Sequence, residues 1–485
     1  MSAPIDLPSS GVTGIAEPAA VRSNRHYATF VCVCAALGGL LFGFDIAVIS
    51  GTVPAVRKQF GFDPWIEGLF VASALIGCML GSAVAGPISD RVGRKKGLII
   101  ASILFVATGL GCALSPDEMS LLFFRFIGGI GIGVASMVCP MYISEVSPAA
   151  VRGRMVTLFQ FAITVGICAS LFSNAALDWL SRQGAPGTGD SFYQWMFVDQ
   201  VWRAMFGPAA LPALLFALAT LFIPESPRWL VTVGRELRAR EILERIGGRE
   251  AAEKSLQEIR AAVSAESGRF SDLFRPSLRK ALGVAVFLAL VSELSGMTVV
   301  LYYGPDILNQ AGVRLSDAIG GFVMIGIVKM LFTVIALGLI DRIGRRPLLL
   351  WGTAGCCLSL ISLGALFALD RTDGIALVAL ICLFCAFFAF SLGPIKWVIM
   401  SEIFPTQVRG RAVAVATTAV WLAGAVVNYL FPWAREHWGA AMCFFIFALV
   451  LVPQIFFARF MMPETKGRTL EEIERTWLCR DTVVR

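Results

Sequence analysis

Asp90-Arg91-Val92-Gly93-Arg94-Lys95 lies between two apolar blocks and returns 251 residues later as Asp341-Arg342-Ile343-Gly344-Arg345-Arg346. A second signature, Ser144-Glu145-Val146-Ser147-Pro148 followed by Val151-Arg152-Gly153-Arg154, returns 257 residues on as Ser401-Glu402-Ile403-Phe404-Pro405 followed by Val408-Arg409-Gly410-Arg411. A looser pair, Pro224-Glu225-Ser226 and Pro463-Glu464-Thr465, is offset by 239 residues. Each offset is about half of the 485-residue chain, so the molecule is two similar halves in tandem.

The blocks around these signatures are too apolar for a water-soluble core. Hydrophobic residues make up 57% of the chain and charged residues 15%, against about 25% charged in an ordinary soluble domain. Blocks such as Ala281–Tyr303 and Ile375–Ser391 approach or exceed the roughly 20 apolar residues that cross a bilayer. Twelve candidate spans run near 28–50, 66–88, 97–115, 121–143, 156–177, 201–223, 280–303, 317–340, 347–369, 375–400, 411–431 and 437–462. The expected fold class is therefore an all-α membrane protein with twelve transmembrane helices in two six-helix halves. Residues 1–27 read as a disordered cytoplasmic tail, 28–223 as the first half, 224–279 as a charged helical connector, 280–462 as the second half and 463–485 as a second tail. No extended polar region could form a catalytic domain, so no enzyme is expected. Two parallel halves with a midplane site between them is the alternating-access plan.

Net charge is +7, and its placement matters more than its size. Arg91–Lys96, Arg152–Arg154, Arg342–Arg346 and Arg409–Arg411 form basic clusters in short connections, whereas Ser115–Glu118 and Asp370–Asp373 are at least as acidic. The positive-inside rule puts the basic connections and both termini in the cytoplasm of a multi-pass cell-membrane protein, plasma or bacterial inner. The clusters lack interleaved aromatic residues, which argues against nucleic acid. Eleven of the twelve cysteines lie in apolar spans and none has metal-ligand neighbours, so no metal or cofactor is expected.

Each basic turn joins two spans where Arg94 and Arg345 can reach acidic groups and helix C-termini. Glu145 and Glu402 are the expected partners. Asp90, Arg94, Glu145, Arg152 and Glu225 in the first half, with Asp341, Arg345, Glu402 and Arg409 in the second, are expected to latch the two halves together on the inner side. Simple topological anchoring by positive charge is the plainer reading, but it does not demand the Gly and Asp spacing.

These motifs resemble the sugar porters of the major facilitator superfamily, and among them the bacterial sugar–proton symporters. The matching segments are Gly38–Asp45, Gly86–Lys95, Arg125–Gly133, Pro224–Leu230, Leu301-Tyr302-Tyr303, Gly393–Trp397, Ser401–Arg411 and Pro463–Gly467. Pro-Glu-Ser-Pro-Arg-Trp-Leu and Pro-Glu-Thr-Lys-Gly are specific to that branch. The resemblance implies a secondary active transporter that imports a sugar or sugar-like polyol with a proton, a single chain sufficing.

Ionised side chains inside spans cost at least about 2.5–3.5 kcal/mol each, so each needs a reason. Asp45 in span one and Arg125 in span four fall at similar depth. The resemblance assigns this Asp to proton coupling, where facilitative carriers have a neutral residue. A permanent structural pair is the alternative. Glu293 and Lys329 fall near the midplane as a second expected pair, while Lys396, near the inner end of span ten, is expected to snorkel to water.

By family position Gln160, Tyr302, Tyr303, Trp397 and Trp421 match the sugar-contacting pattern. Span seven departs from it. Ser292-Glu293 replaces the usual Gln-Gln, Thr298 replaces an Asn, Lys329 replaces an Asn in span eight and Val420 replaces a Gln in span eleven. Either Glu293 and Lys329 neutralise each other beside a neutral sugar or cyclitol, or Lys329 binds an anionic sugar acid. Net neutrality is cheaper to bury, so the neutralising pair is expected. A non-transporting nutrient sensor and a drug–proton antiporter are the remaining alternatives on this fold.

Overall fold

The computed structural model describes residues 25–148, 151–183, 191–265, 273–371, 374–404, 406–462 and 464, and within them the secondary structure is helical. The two expected tails lie outside the described residues apart from their inner ends. Among the described residues, eleven helices are long and apolar enough to cross a membrane. The last of these, within Thr406–Phe456, is two spans joined at Gly439, where φ 77° and ψ 161° leave the helix. That makes twelve crossings. Several helices outrun their apolar blocks. Arg25–Phe60 carries span one past residue 50 and ends on Arg57 and Lys58, because a helix stays hydrogen-bonded where hydropathy already falls.

Small residues decide how closely the spans approach. A Cβ on Gly43 would lie 1.9 Å from the Ile163 carbonyl oxygen, and one on Gly166 would lie 2.0 Å from that of Leu40. Spans one and five therefore touch backbone to backbone, the usual basis of helix association where lipid is as apolar as leucine. Leu214, Leu218, Leu221 and Phe222 on span six face outward, as a lipid boundary requires.

The repeated basic turn has one geometry in both halves. Gly93 has φ 101° and Gly344 φ 103°, values that glycine tolerates and side chains resist. Glu225 accepts from the amides of Arg94 (2.9 Å) and Lys95 (3.0 Å). Glu464 accepts from those of Arg345 (2.9 Å) and Arg346 (3.0 Å). Each glutamate thus caps the start of the following span, where free N–H groups and the helix dipole favour an anion. The Arg94 side chain pairs with Glu145 at 3.1 Å and with exposed Asp90 at 2.9 Å, and Arg345 pairs with Glu402 at 3.0 Å.

Glu145 and Glu402 are the expected partners, and in this conformation neither pair crosses from one half to the other. Both pairs join helices of the same half, so in this conformation they brace each half internally. Arg152 is exposed at the start of span five, and the side chains of Asp341 and Arg409 lie outside the described residues. The connector follows the first half, with the Ser226 hydroxyl donating to Glu145 and the Trp229 indole to the Asp90 carbonyl (2.8 Å).

The halves are tied at the opposite face. Asp306 at the far end of span seven accepts from Arg57 of span one at 2.8 Å and from Arg435 of span eleven. Glu67 of span two lies 3.3 Å from Arg57 and 3.6 Å from Arg435. Both acids are buried, Glu67 2% and Asp306 1% exposed. Two acids and two arginines from both halves thus form a neutral plug that hydration would dissolve on opening.

Removing one acid strands arginines only while this face is closed, and a stranded buried charge typically costs about 3–5 kcal/mol. Asp306→Asn should therefore raise the population open at this face. Thiol labelling of Phe62→Cys, beside the plug, should accelerate several-fold in that background, and unchanged labelling would count against the plug as a gate.

Candidate functional site

Two spans are broken where they face the centre. Span seven ends its first segment at Leu294 and restarts at Met297, with Gly296 in the left-handed region (φ 80°). A Cβ there would also lie 2.4 Å from the Phe447 ring, so glycine is needed twice over. Span ten breaks at Ser391 (φ −127°, ψ −87°) before Leu392–Glu402. Broken backbone at membrane depth is tolerated only where it lines protein or a cavity, and it is the usual setting of a transport site.

The breaks bring Glu293 and Lys396 together. The Lys396 ammonium lies 2.7 Å from a Glu293 carboxylate oxygen, 2.9 Å from the Ser292 hydroxyl and 5.5 Å from the Trp397 ring centroid. Lys396 is 6% and Glu293 7% exposed. Lys396 therefore does not snorkel to the inner face. A carboxylate, a hydroxyl and the negative end of the Pro276–Leu294 dipole all lie inward, and together they outweigh the pull of water.

This corrects the expected Glu293–Lys329 pair. Lys329 is half-buried on span eight, and among the described residues its ammonium makes no ion pair or hydrogen bond. The other Glu293 oxygen lies 3.6 Å from where a Cβ on Gly424 would sit, and Leu75 of the first half lies 3.9 Å from that point. Glu293 thus stands at the boundary between the halves.

In the first half, one Arg125 nitrogen lies 3.3 and 3.4 Å from the two Asp45 carboxylate oxygens and 3.4 Å from the Asp45 carbonyl. The Phe206 ring lies 5.8 Å from the guanidinium. Asp45 is 4% and Arg125 2% exposed, so the pair is dry.

Further polar side chains stand around these charges. Gln160 is half-buried on span five, and its amide makes no bond within the described residues. The Trp421 indole N–H and the Asn428 amide oxygen are buried and have no hydrogen-bond partner among the described residues. Asn428 donates to the Thr298 hydroxyl at 2.9 Å, and the Trp421 ring meets Phe42 of span one at 5.8 Å, across the halves. Tyr302 is buried, whereas Tyr303 is fully enclosed and donates to the Asn428 carbonyl at 3.0 Å. Tyr303 therefore holds the Asn428 backbone in place.

Asn428 was missed in the sequence. A lone amide two turns beyond Trp421 in an apolar span was the signal that could have found it.

Glu293→Gln should leave the Lys396 ammonium buried and unpaired, destabilising by about 3–5 kcal/mol, and Lys396→Gln added to it should recover most of that. Thermal unfolding of the purified variants measures this, and strictly additive losses would refute the pairing.

Comparison with known proteins agrees with this architecture. The family profile described as "Sugar (and other) transporter" matches residues 31–477. The arabinose-proton symporter of Bacillus subtilis is 38% identical over 466 residues, covering 95% of this chain and 98% of that protein. The D-xylose-proton symporter of Escherichia coli K12 is 35% identical over 488 residues, covering 94% and 96%. A partially occluded inward-open structure of the E. coli xylose transporter XylE superposes with a TM-score of 0.79 at 34% identity, covering 92% of this chain and all of that one. The match of profile, sequence and structure over nearly the whole length makes this chain a member of the sugar transporter family of the major facilitator superfamily.

Proposed function

We propose that the protein carries a sugar or sugar-like solute together with a proton, by alternating access of one central site to the two faces. The dry Asp45–Arg125 pair is the observation that carries this reading. Its contacts of 3.3–3.4 Å through a single guanidinium nitrogen are long beside the roughly 2.7–2.9 Å of strong charge-assisted bonds. Asp45 is held loosely and can accept a proton without dismantling a tight bidentate clamp.

Protonation converts Asp45 to a neutral acid and frees Arg125, which changes the relative energy of the two conformations. Solute hydroxyls are addressed by the Gln160 amide, the Trp421 N–H, the Asn428 oxygen and the Thr298 hydroxyl. The Trp397 and Trp421 rings cover the apolar face of the ring. When the Arg57–Asp306–Arg435–Glu67 plug is closed, the site opens toward the basic turns, which the positive-inside rule makes cytoplasmic. This conformation is then the releasing one, and direction is import across the cell membrane. Both halves and the whole pathway lie in one chain, so a monomer suffices.

A proton gains about 2.3 kcal/mol per 100 mV, enough for roughly fiftyfold accumulation of a neutral solute. Asp45→Asn should abolish accumulation in proteoliposomes while sparing exchange between equal pools. Uphill uptake that survives in that variant would end the coupling role of Asp45.

A further inference from the structure

The central site holds one positive charge more than it neutralises. Asp45 and Arg125 cancel. In the second half Glu293 is committed to Lys396, whose remaining contact is the Ser292 hydroxyl. Lys329 is left over. Two ammonium groups stand against one carboxylate, and among the described residues Lys329 has no hydrogen-bonding or ionic partner. An ionisable group in a span is costly and marks a functional site with a partner to be named. No such partner lies among the described residues.

The position of Lys329 says where the partner comes from. One turn before it, Gly326 packs so closely on span five that a Cβ would lie 2.9 Å from Leu171 and 3.4 Å from the Cys168 sulfur. This face of span eight is turned across the boundary between the halves. The titratable groups within electrostatic reach of the ammonium are Cys385, Glu293, Lys396 and Cys168, which come from spans ten, seven, ten and five. Gln160 stands two turns before Cys168 on span five. A solute bound between Gln160 and Trp421 therefore presents one end toward Lys329.

We propose that the solute is anionic, a sugar acid whose carboxylate is held by Lys329 while its hydroxyls engage Gln160, Trp421 and Asn428. This rests on the transport reading above and narrows its substrate class. An ammonium and a carboxylate form a charge-assisted bond, and the solute's charge then cancels the surplus that the empty site carries. Charge counting gives a second consequence. One proton moving with a monoanion transfers no net charge, whereas one proton moving with a neutral sugar transfers +1.

D-Glucuronate and D-glucose are suitable probes because they share a ring and differ at a carboxylate against a hydroxymethyl group. In proteoliposomes, a pH gradient should accumulate glucuronate at least tenfold better than glucose, and an imposed potassium-diffusion potential should leave that uptake unchanged. Lys329→Asn should lower glucuronate uptake at least tenfold at unaltered protein level and thermal stability, and Lys329→Arg should retain most of it. Accumulation of glucose without glucuronate, or an equal loss of both in Lys329→Asn, overturns the anionic substrate and leaves proton-coupled transport standing. Failure of a pH gradient to accumulate either solute overturns both readings. The wild-type preference alone decides the matter if the variant folds poorly.

Discussion

Hydrocarbon offers no hydrogen bonds, so every charge placed in a span has to be answered from within the chain or by what the chain carries. The interior follows from that constraint. Asp45 is answered by Arg125, Glu293 by Lys396, and the acids of the plug by arginines from two halves. The same constraint allows helices to break only where the freed backbone faces protein or an internal cavity. The breaks at Gly296 and Ser391 meet it, and they are what lets a glutamate and a lysine from different spans converge at the centre.

Much of this was legible in the sequence. The doubled signatures announced two halves, the apolar blocks gave twelve crossings, and equal depth paired Asp45 with Arg125. These readings succeeded because they depend on local pattern or on helix length alone. Lys396 was misread because depth was counted along a continuous helix, whereas the break at Ser391 redirects the segment that carries it. Glu293 was then given to Lys329 by proximity in depth, with no way to see which face each helix turns inward. The plug is hidden from the sequence for a different reason. Arg57, Glu67, Asp306 and Arg435 sit near span ends, where a charge is ordinary, and only tertiary packing reveals that the four are one cluster.

The two halves also differ in an instructive way. Their basic turns are near copies, with Gly93 and Gly344 at φ 101° and 103° and a glutamate from a Pro-Glu segment capping each. Their interiors are unlike. The first half keeps spans one and four unbroken around the Asp45–Arg125 pair, while the second half supplies the helices broken at Gly296 and Ser391 and the Glu293–Lys396 pair. A repeated scaffold thus carries two specialised halves, consistent with function residing in sites grafted onto a fold.

Span one has a mechanical consequence. Asp45 and Arg57 lie on the same helix, Arg25–Phe60, twelve residues or about 18 Å apart along its axis. The reciprocal glycine contacts with span five give this helix no soft side-chain cushion near Asp45. Pro54 lies between the two charges and removes one backbone hydrogen bond there, so bending is confined to a defined point. Span one is then a lever with a fulcrum at the crossing, a joint at Pro54 and an ionic catch at its tip. A small tilt set off at the buried carboxylate reaches the catch as leverage, with no relay of side chains in between.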